Sequence, residues 1–354
     1  MEQESKDFLF EILNTPSPTG NEAPVQRVVR KRMEKYADTI ESDVNGNLIC
    51  TLNPNAEKKV MLAGHCDQIG FMVSYISPDG FIYVTSVGGI DASVAPGAYV
   101  TIYGKKGEVQ GVFGRKPIHK QKAEERKAMK VDIADCFIDI GAKNQKDAEK
   151  FVEIGDYVTY RLGVTELKNG YISSPALDDK VGVFCVMEAL RLCAKSNLKV
   201  GLCAVSTVQE EIGTRGAQTS AFGIDPFVGI CVDVTFSTDN PGYNEKKIPQ
   251  IELGKGGAIA KGALCNPVLY EKLLQTANKY KIPYQKDIAP NVMGNDTRAM
   301  QVSRSGIASA SISVPNRYMH TQVEVCHLKD LETISKWIAE FVKTLTSKSD
   351  FVVR

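Results

Sequence analysis

The hydrophobic pattern of this chain changes period twice, and no other feature of the sequence constrains its fold as much. Up to about residue 69, and again from residue 174, stretches with helical spacing alternate with short continuous apolar runs. That order predicts helices and buried strands in turn, as in an α/β domain. Between Gly70 and Tyr160 the helical spacing gives way to short β-type runs: FMVSYI, FIYVT, YVTIY, VQGVF, CFIDI and YVTYR. Turn signals separate them at Pro78-Asp79-Gly80, Pro96-Gly97 and Gly104. The pattern predicts a small β domain or barrel. The expected fold is α/β: a domain with a central mixed sheet flanked by helices, residues 1–69 and 163–354, interrupted by a β-barrel-like insertion over residues 70–162. A chain of 354 residues is long enough for two such units.

Within that frame, residues 4–13 read as a helix. The turn TPSPTGNE follows, with Asn21 as N-cap and Pro24 in the first turn of a second helix carrying Val25, Val28, Val29, Met33 and Tyr36. Strands are expected over 47–51, 59–63, 200–208, 227–234 and 307–314, and helices over 181–194, 269–280 and 328–346. The glycine-rich segment 253–257 lacks the spacing of a nucleotide-binding loop and reads as a place of close backbone approach.

Composition removes several function classes. Lys and Arg number 43 against 42 Asp and Glu, so no excess of basic charge points to nucleic acid or an anionic membrane. The basic stretch His119 to Lys130 contains two glutamates and reads as a solvated loop or helix face. Nine cysteines are scattered singly, several inside apolar runs, as buried reduced thiols are. The opening MEQESKDFLFEIL has neither the basic nor the apolar region of a signal peptide. No apolar run approaches the roughly 20 residues that span a bilayer. A cytoplasmic location is expected.

Acids and imidazoles collect at the ends of the apolar strands. His65 and Asp67 follow VMLAG, Glu210 and Glu211 follow LCAVSTVQ, Asp233 lies within GICVDV, and His320 follows SISVPNRYM. In open α/β sheets the crevice at the carboxyl ends of strands is where ligands bind. Each residue alone has a structural reading. Asp178 and Asp179, just before a helix, could simply cap it. Asp233 is the exception, because a carboxylate inside an apolar strand is costly unless paired or metal-bound. Together, mixed His and carboxylate donors suit zinc or a similar divalent ion. Two ions sharing one carboxylate would leave one acid over, and that acid could serve as a general base. His119 and His327 read as structural.

His65-Cys66-Asp67, Ala176-Leu177-Asp178-Asp179-Lys180, Gln209-Glu210-Glu211-Ile212-Gly213, Val232-Asp233 and Arg317-Tyr318-Met319-His320 occur in an order that resembles the tetrahedral and glutamyl aminopeptidases, a family of dinuclear metallopeptidases. The resemblance covers nearly the whole chain. It implies metal ligation by His65, Asp178, Glu211, Asp233 and His320, with Asp178 bridging two divalent ions per subunit, zinc first and cobalt or manganese as alternatives. It implies Glu210 as general base and Asp67 as the carboxylate that orients His65. On the residues alone, Asp178 and Asp179 remain interchangeable as the bridge. It further implies that the inserted β domain serves assembly and substrate access, that short peptides are the substrates, and that the chain forms a homo-oligomer, with a tetrahedral dodecamer as the family's form. Two departures stand out: Gln68 replaces a usual Glu, and Gly294-Asn295-Asp296-Thr297 stands for a usual Gly-Thr-Asp. Neither removes a ligand; the second bears on substrate preference or the subunit loops. Glycoside hydrolysis, which needs two carboxylates and no imidazole ligands, and a non-catalytic peptide-binding role are the competing readings.

Overall fold

The computed structural model describes residues 1–120, 131–243 and 247–354. All but the first two residues of the basic stretch 119–130 therefore lie outside the described residues. The strands follow in chain order. Three come first: β1 (Thr39–Ser42), β2 (Leu48–Leu52) and β3 (Lys59–His65). Six more follow: β4 (Gly70–Ile76), β5 (Ile82–Val87), β6 (Tyr99–Gly104), β7 (Gly107–Arg115), β8 (Cys136–Asp139) and β9 (Tyr157–Tyr160). The rest are β10 (Thr165–Glu166), β11 (Tyr171–Ser174), β12 (Gly201–Thr207), β13 (Val228–Phe236), β14 (Gly257–Gly262), β15 (Tyr284–Ala289), β16 (Ala308–Asn316) and β17 (Glu324–His327).

Eight strands form one mixed sheet in the order β1-β2-β12-β3-β13-β16-β14-β15. The central four, β12, β3, β13 and β16, run parallel. Helices Leu177–Cys193 and Leu328–Thr344 pack together beneath it. Their apolar faces, with Phe184, Trp337 and Phe341, join Leu62, Ile230 and Ile312 from the sheet in one core. Parallel strands covered on both faces read as continuous apolar runs, which is why these strands were visible in the sequence.

The six β-type runs become the six strands of a closed antiparallel barrel, β4-β5-β8-β7-β6-β9. Alternate side chains fill its interior. Phe71 lies at the centre, with ring centroids 4.9 Å from Phe113 and 5.5 Å from Tyr160. Gly80 turns between β4 and β5 with φ +89°, as Pro78-Asp79-Gly80 predicted. The expected α/β class with a β-barrel is thus the fold observed.

Some local expectations need correction. Helix Ala23–Met33 is entered through Glu22, not Asn21, because the Asn21 N–H is bonded to the Pro18 carbonyl in the preceding turn. Helix Leu177–Cys193 begins four residues earlier than its apolar periodicity. Helix Arg215–Ile224 and the strands β1, β14 and β15 had no clear period. The glycine-rich segment 253–257 does allow close approach: the N–H groups of Gly254 and Gly256 donate to the two Asp330 carboxylate oxygens at 2.6 and 2.7 Å. His327 is structural, accepting from the Lys329 N–H at the start of the last helix. All nine cysteines are buried and unpaired. Among the described residues, no helix is long and apolar enough to cross a membrane.

Candidate active site

Strands β12, β3 and β13 end together, and their register fixes what meets there. Thr207 lies opposite His65, and Cys231 lies opposite Ala63. Asp233, two residues beyond Cys231, therefore comes level with His65.

Asp178 arrives from the irregular first turn of helix Leu177–Cys193, where the Asp178–Asp179 peptide bond is cis and both residues leave helical backbone angles. The two carboxylates take different partners. Asp179 accepts from the N–H of Gly182 at 3.0 Å and of His65 at 3.2 Å, which is the capping task of an acid at a helix start. Asp178 faces both imidazoles: one of its oxygens is 3.1 Å from His65 Nε2 and the other 3.1 Å from His320 Nε2. Two glycines permit this approach. A Cβ on Gly64 would lie 2.5 Å from the Gly182 carbonyl carbon, and one on Gly182 would lie 2.2 Å from the Asp179 carboxylate. A side chain at position 64 would force strand β3 and the helix apart, and one at position 182 would displace the Asp179 carboxylate from its capping position.

The other sequence-selected residues close around Asp178. His65 Nε2 lies 3.9 Å from Glu210 Oε2 and 3.9 Å from Asp233 Oδ1, and His320 Nε2 lies 3.6 Å from Glu211 Oε1. Two sets of candidate ligand atoms result: His65, Asp178 and Asp233, and Asp178, Glu211 and His320. Within each set the atoms lie within 4.8 Å of one another, and Asp178 belongs to both. Among the described residues these are the two groups of His, Cys, Asp and Glu with such spacing.

Asp67 does more than face His65. Its backbone carbonyl is 3.0 Å from His65 Nδ1, closer than its carboxylate at 3.4 Å. With the ring proton on Nδ1, that carbonyl leaves His65 Nε2 free to act as a ligand. The carboxylate instead accepts from the N–H groups of Glu210 at 3.0 Å and Glu211 at 3.2 Å, and from the Thr19 hydroxyl at 2.9 Å. It thereby sets the backbone of both glutamates.

Glu324 was not identified from the sequence. It is buried, and its two oxygens accept from the N–H of Asp178 at 2.9 Å and of His320 at 2.8 Å. One carboxylate thus ties together the backbones of two residues that are 142 positions apart. Its only sequence signal is an acid at the start of the short apolar strand β17. Asp296 was seen only as part of a variant segment. It is also buried, and it accepts from the Thr207 hydroxyl at 2.6 Å.

The electrostatics follow from crowding acids out of water. Burial pushes Glu210 up to about 10, Glu211 to about 8 and Asp233 to about 7. His65 pulls each of them back, while neighbouring carboxylates push them further up. Burial also opposes ionisation of Asp178, but hydrogen bonds from His320 and His65 outweigh it and hold Asp178 below the usual carboxylate range. Glu211 Oε1 is buried with no hydrogen-bond partner among the described residues. Acids that repel one another, an orphaned carboxylate oxygen and two inward-facing imidazole nitrogens form a donor set suited to divalent cations.

These side chains line one end of a cavity of about 580 Å³. The same cavity is also lined by Thr235, Phe236, Asp287, Ile288, Met293 and Arg298.

A profile of the M42 glutamyl aminopeptidases matches residues 46–337. The chain belongs to this family. As an M42 member it is an aminopeptidase, a hydrolase of peptide bonds. It is 34% identical to lysyl aminopeptidase of Pyrococcus furiosus over 332 residues, covering 93% of this chain and 94% of that one. Its fold superposes on the TET aminopeptidase of a marine sediment archaeon of the Thaumarchaeota with a TM-score of 0.93 and 31% identity, covering 98% of each chain. A TET1 peptidase of Pyrococcus horikoshii, described as able to assemble into a tetrahedron or a large octahedral shell, aligns with a TM-score of 0.85 and 28% identity over 96% of this chain and 99% of that one.

Proposed function

We propose that the chain is a two-metal aminopeptidase that removes N-terminal residues from short peptides. The observation that carries this reading is the sharing of Asp178 between two sets of candidate ligand atoms. His65 and Asp233 complete one cation position, Glu211 and His320 complete the other, and zinc suits both, with cobalt or manganese as alternatives. When bound, the cations supply Lewis acidity toward the scissile carbonyl and toward water.

The chain's own residues do the rest. Glu210 is held by its backbone N–H on Asp67, with its Oε2 facing His65 across 3.9 Å. It is the acid left over when each cation position is filled. Cation charge in the two positions would offset the burial that raises the Glu210 pKa, and the ionised carboxylate takes a proton from the attacking water and returns it to the nitrogen of the departing peptide. Asp67 and Glu324 hold the backbones from which these groups project, so the site is set before substrate enters. The proposed working state is a homo-oligomer in the cytoplasm, with the tetrahedral dodecamer as candidate form and the inserted barrel limiting access to short peptides. Assembly of the TET1 relative and the match to the TET fold support it.

The test compares a free and an N-acetylated tetrapeptide, with chelator and with Zn²⁺ or Co²⁺ added back. Stepwise release from the free peptide alone, lost on chelation and restored by metal, is the expected result. Equal cleavage of the acetylated peptide, or activity that survives chelation, would overturn the reading.

A further inference from the structure

The rest of the cavity lining is not needed to hold cations or to move a proton, yet it carries two charged side chains, Asp287 and Arg298. Among the described residues, neither forms an ion pair. They differ in how they are held. Asp287, on the edge strand β15, is half-buried and fixed by two donors: the Ile288 N–H at 2.8 Å and the Thr235 hydroxyl at 3.3 Å. Arg298 is exposed, and no described contact orients its guanidinium.

Thr235 places Asp287 relative to the reaction centre. It follows Asp233 by two positions on β13, so both side chains lie on one face of the strand, about 6.6 Å apart along it. The Asp287 carboxylate lies one hydroxyl beyond. Starting at the N-terminal residue of a peptide whose scissile carbonyl sits by Asp233, that is the reach of a side chain with three or four methylenes. Phe236, Ile288 and Met293 also line this cavity and contribute apolar surface to it. A lysine or arginine can lay its aliphatic stem on such a surface and keep its charged head at a polar end.

We propose that Asp287 is a specificity-determining residue that selects substrates with a cationic N-terminal side chain. This inference rests on the aminopeptidase reading of the same site. The Asp287 carboxylate accepts hydrogen bonds from the lysine ammonium or arginine guanidinium, while Thr235 and the Ile288 N–H keep it aimed into the cavity.

The experiment measures kcat/KM on Lys-, Arg-, Leu- and Glu-p-nitroanilide, with the full-length metal-loaded protein and its Asp287→Asn, Asp287→Lys and Arg298→Gln variants. The expected wild-type order places Lys and Arg first. The Lys/Leu ratio falls about tenfold in Asp287→Asn, the scale of one charge-assisted hydrogen bond. Asp287→Lys moves the preference toward Glu. A Lys/Leu ratio unchanged in Asp287→Asn would overturn the proposal, since a merely structural role lowers both substrates together. So would a wild-type preference for Glu that disappears in Arg298→Gln. Turnover of Leu without any preference for Lys or Arg sinks the specificity role alone, whereas wild-type protein inert on all four substrates sinks the aminopeptidase reading beneath it.

Discussion

The barrel and the crevice at the ends of the parallel strands solve opposite problems. The barrel closes on itself, so it has no unpaired sheet edge, and its buried cluster is hydrophobic throughout, from Phe71 to Tyr160. The crevice buries His65, Asp67, Asp178, Asp179, Glu210, Asp233, Asp296 and Glu324 within a few residues of strand and helix ends. Burying carboxylates beside one another costs stability unless they are paired, hydrogen-bonded or metal-bound. One region follows the ordinary rules of folding in keeping acids and imidazoles out of its buried interior, with the unpaired Tyr160 hydroxyl as an exception. The other departs from them in one place, where the chemistry is concentrated.

If that contrast holds, substitutions in the two regions separate activity from stability. The largest effect belongs to Glu210→Gln. It removes the proton carrier without changing shape, so kcat falls about a thousandfold while the thermal midpoint stays level or rises. Kinetics and calorimetry on one preparation check both halves, and a fall in kcat of less than tenfold would remove Glu210 from its role. Phe71→Ala is the counterpart in the barrel. Loss of a fully buried aromatic ring costs about 3–5 kcal/mol of stability, read by denaturant unfolding, and turnover per folded molecule changes little.

Asp67→Asn should blur the contrast, with the smallest effect of the three. Its carboxylate serves both purposes, fixing the Glu210 and Glu211 backbones and holding the Thr19 loop. Activity is expected to fall about 10–100-fold, with a stability loss of about 1–3 kcal/mol. A variant affected in only one of the two measurements would show that Asp67 belongs wholly to one region.

Much of this contrast was legible in the sequence, for physical reasons. The barrel strands showed because a strand half-buried in a small barrel alternates with a period of two between glycine and proline turns. The parallel strands showed because burial on both faces makes them uniformly apolar, and an acid such as Asp233 inside one is conspicuous. Adjacent identical residues defeat such reasoning. Asp178 and Asp179 differ only in direction, which depends on the backbone of one helical turn and the approach allowed by Gly64 and Gly182. Glu324 was invisible because its work, two hydrogen bonds to backbone N–H groups, leaves no spacing or motif behind. Strand β14 was hidden beside a glycine-rich loop, where residues are too small to set a period.

The central claim is that Asp178 serves two cation positions at once. Metal content per chain, measured on the wild-type protein and on Asp178→Asn after loading with Zn²⁺ and removal of excess, tests it directly. The account predicts two equivalents in the wild type, with both positions weakened together so that the variant retains less than one. A wild type that saturates at one equivalent, or an Asp178→Asn protein that still holds two, would contradict it.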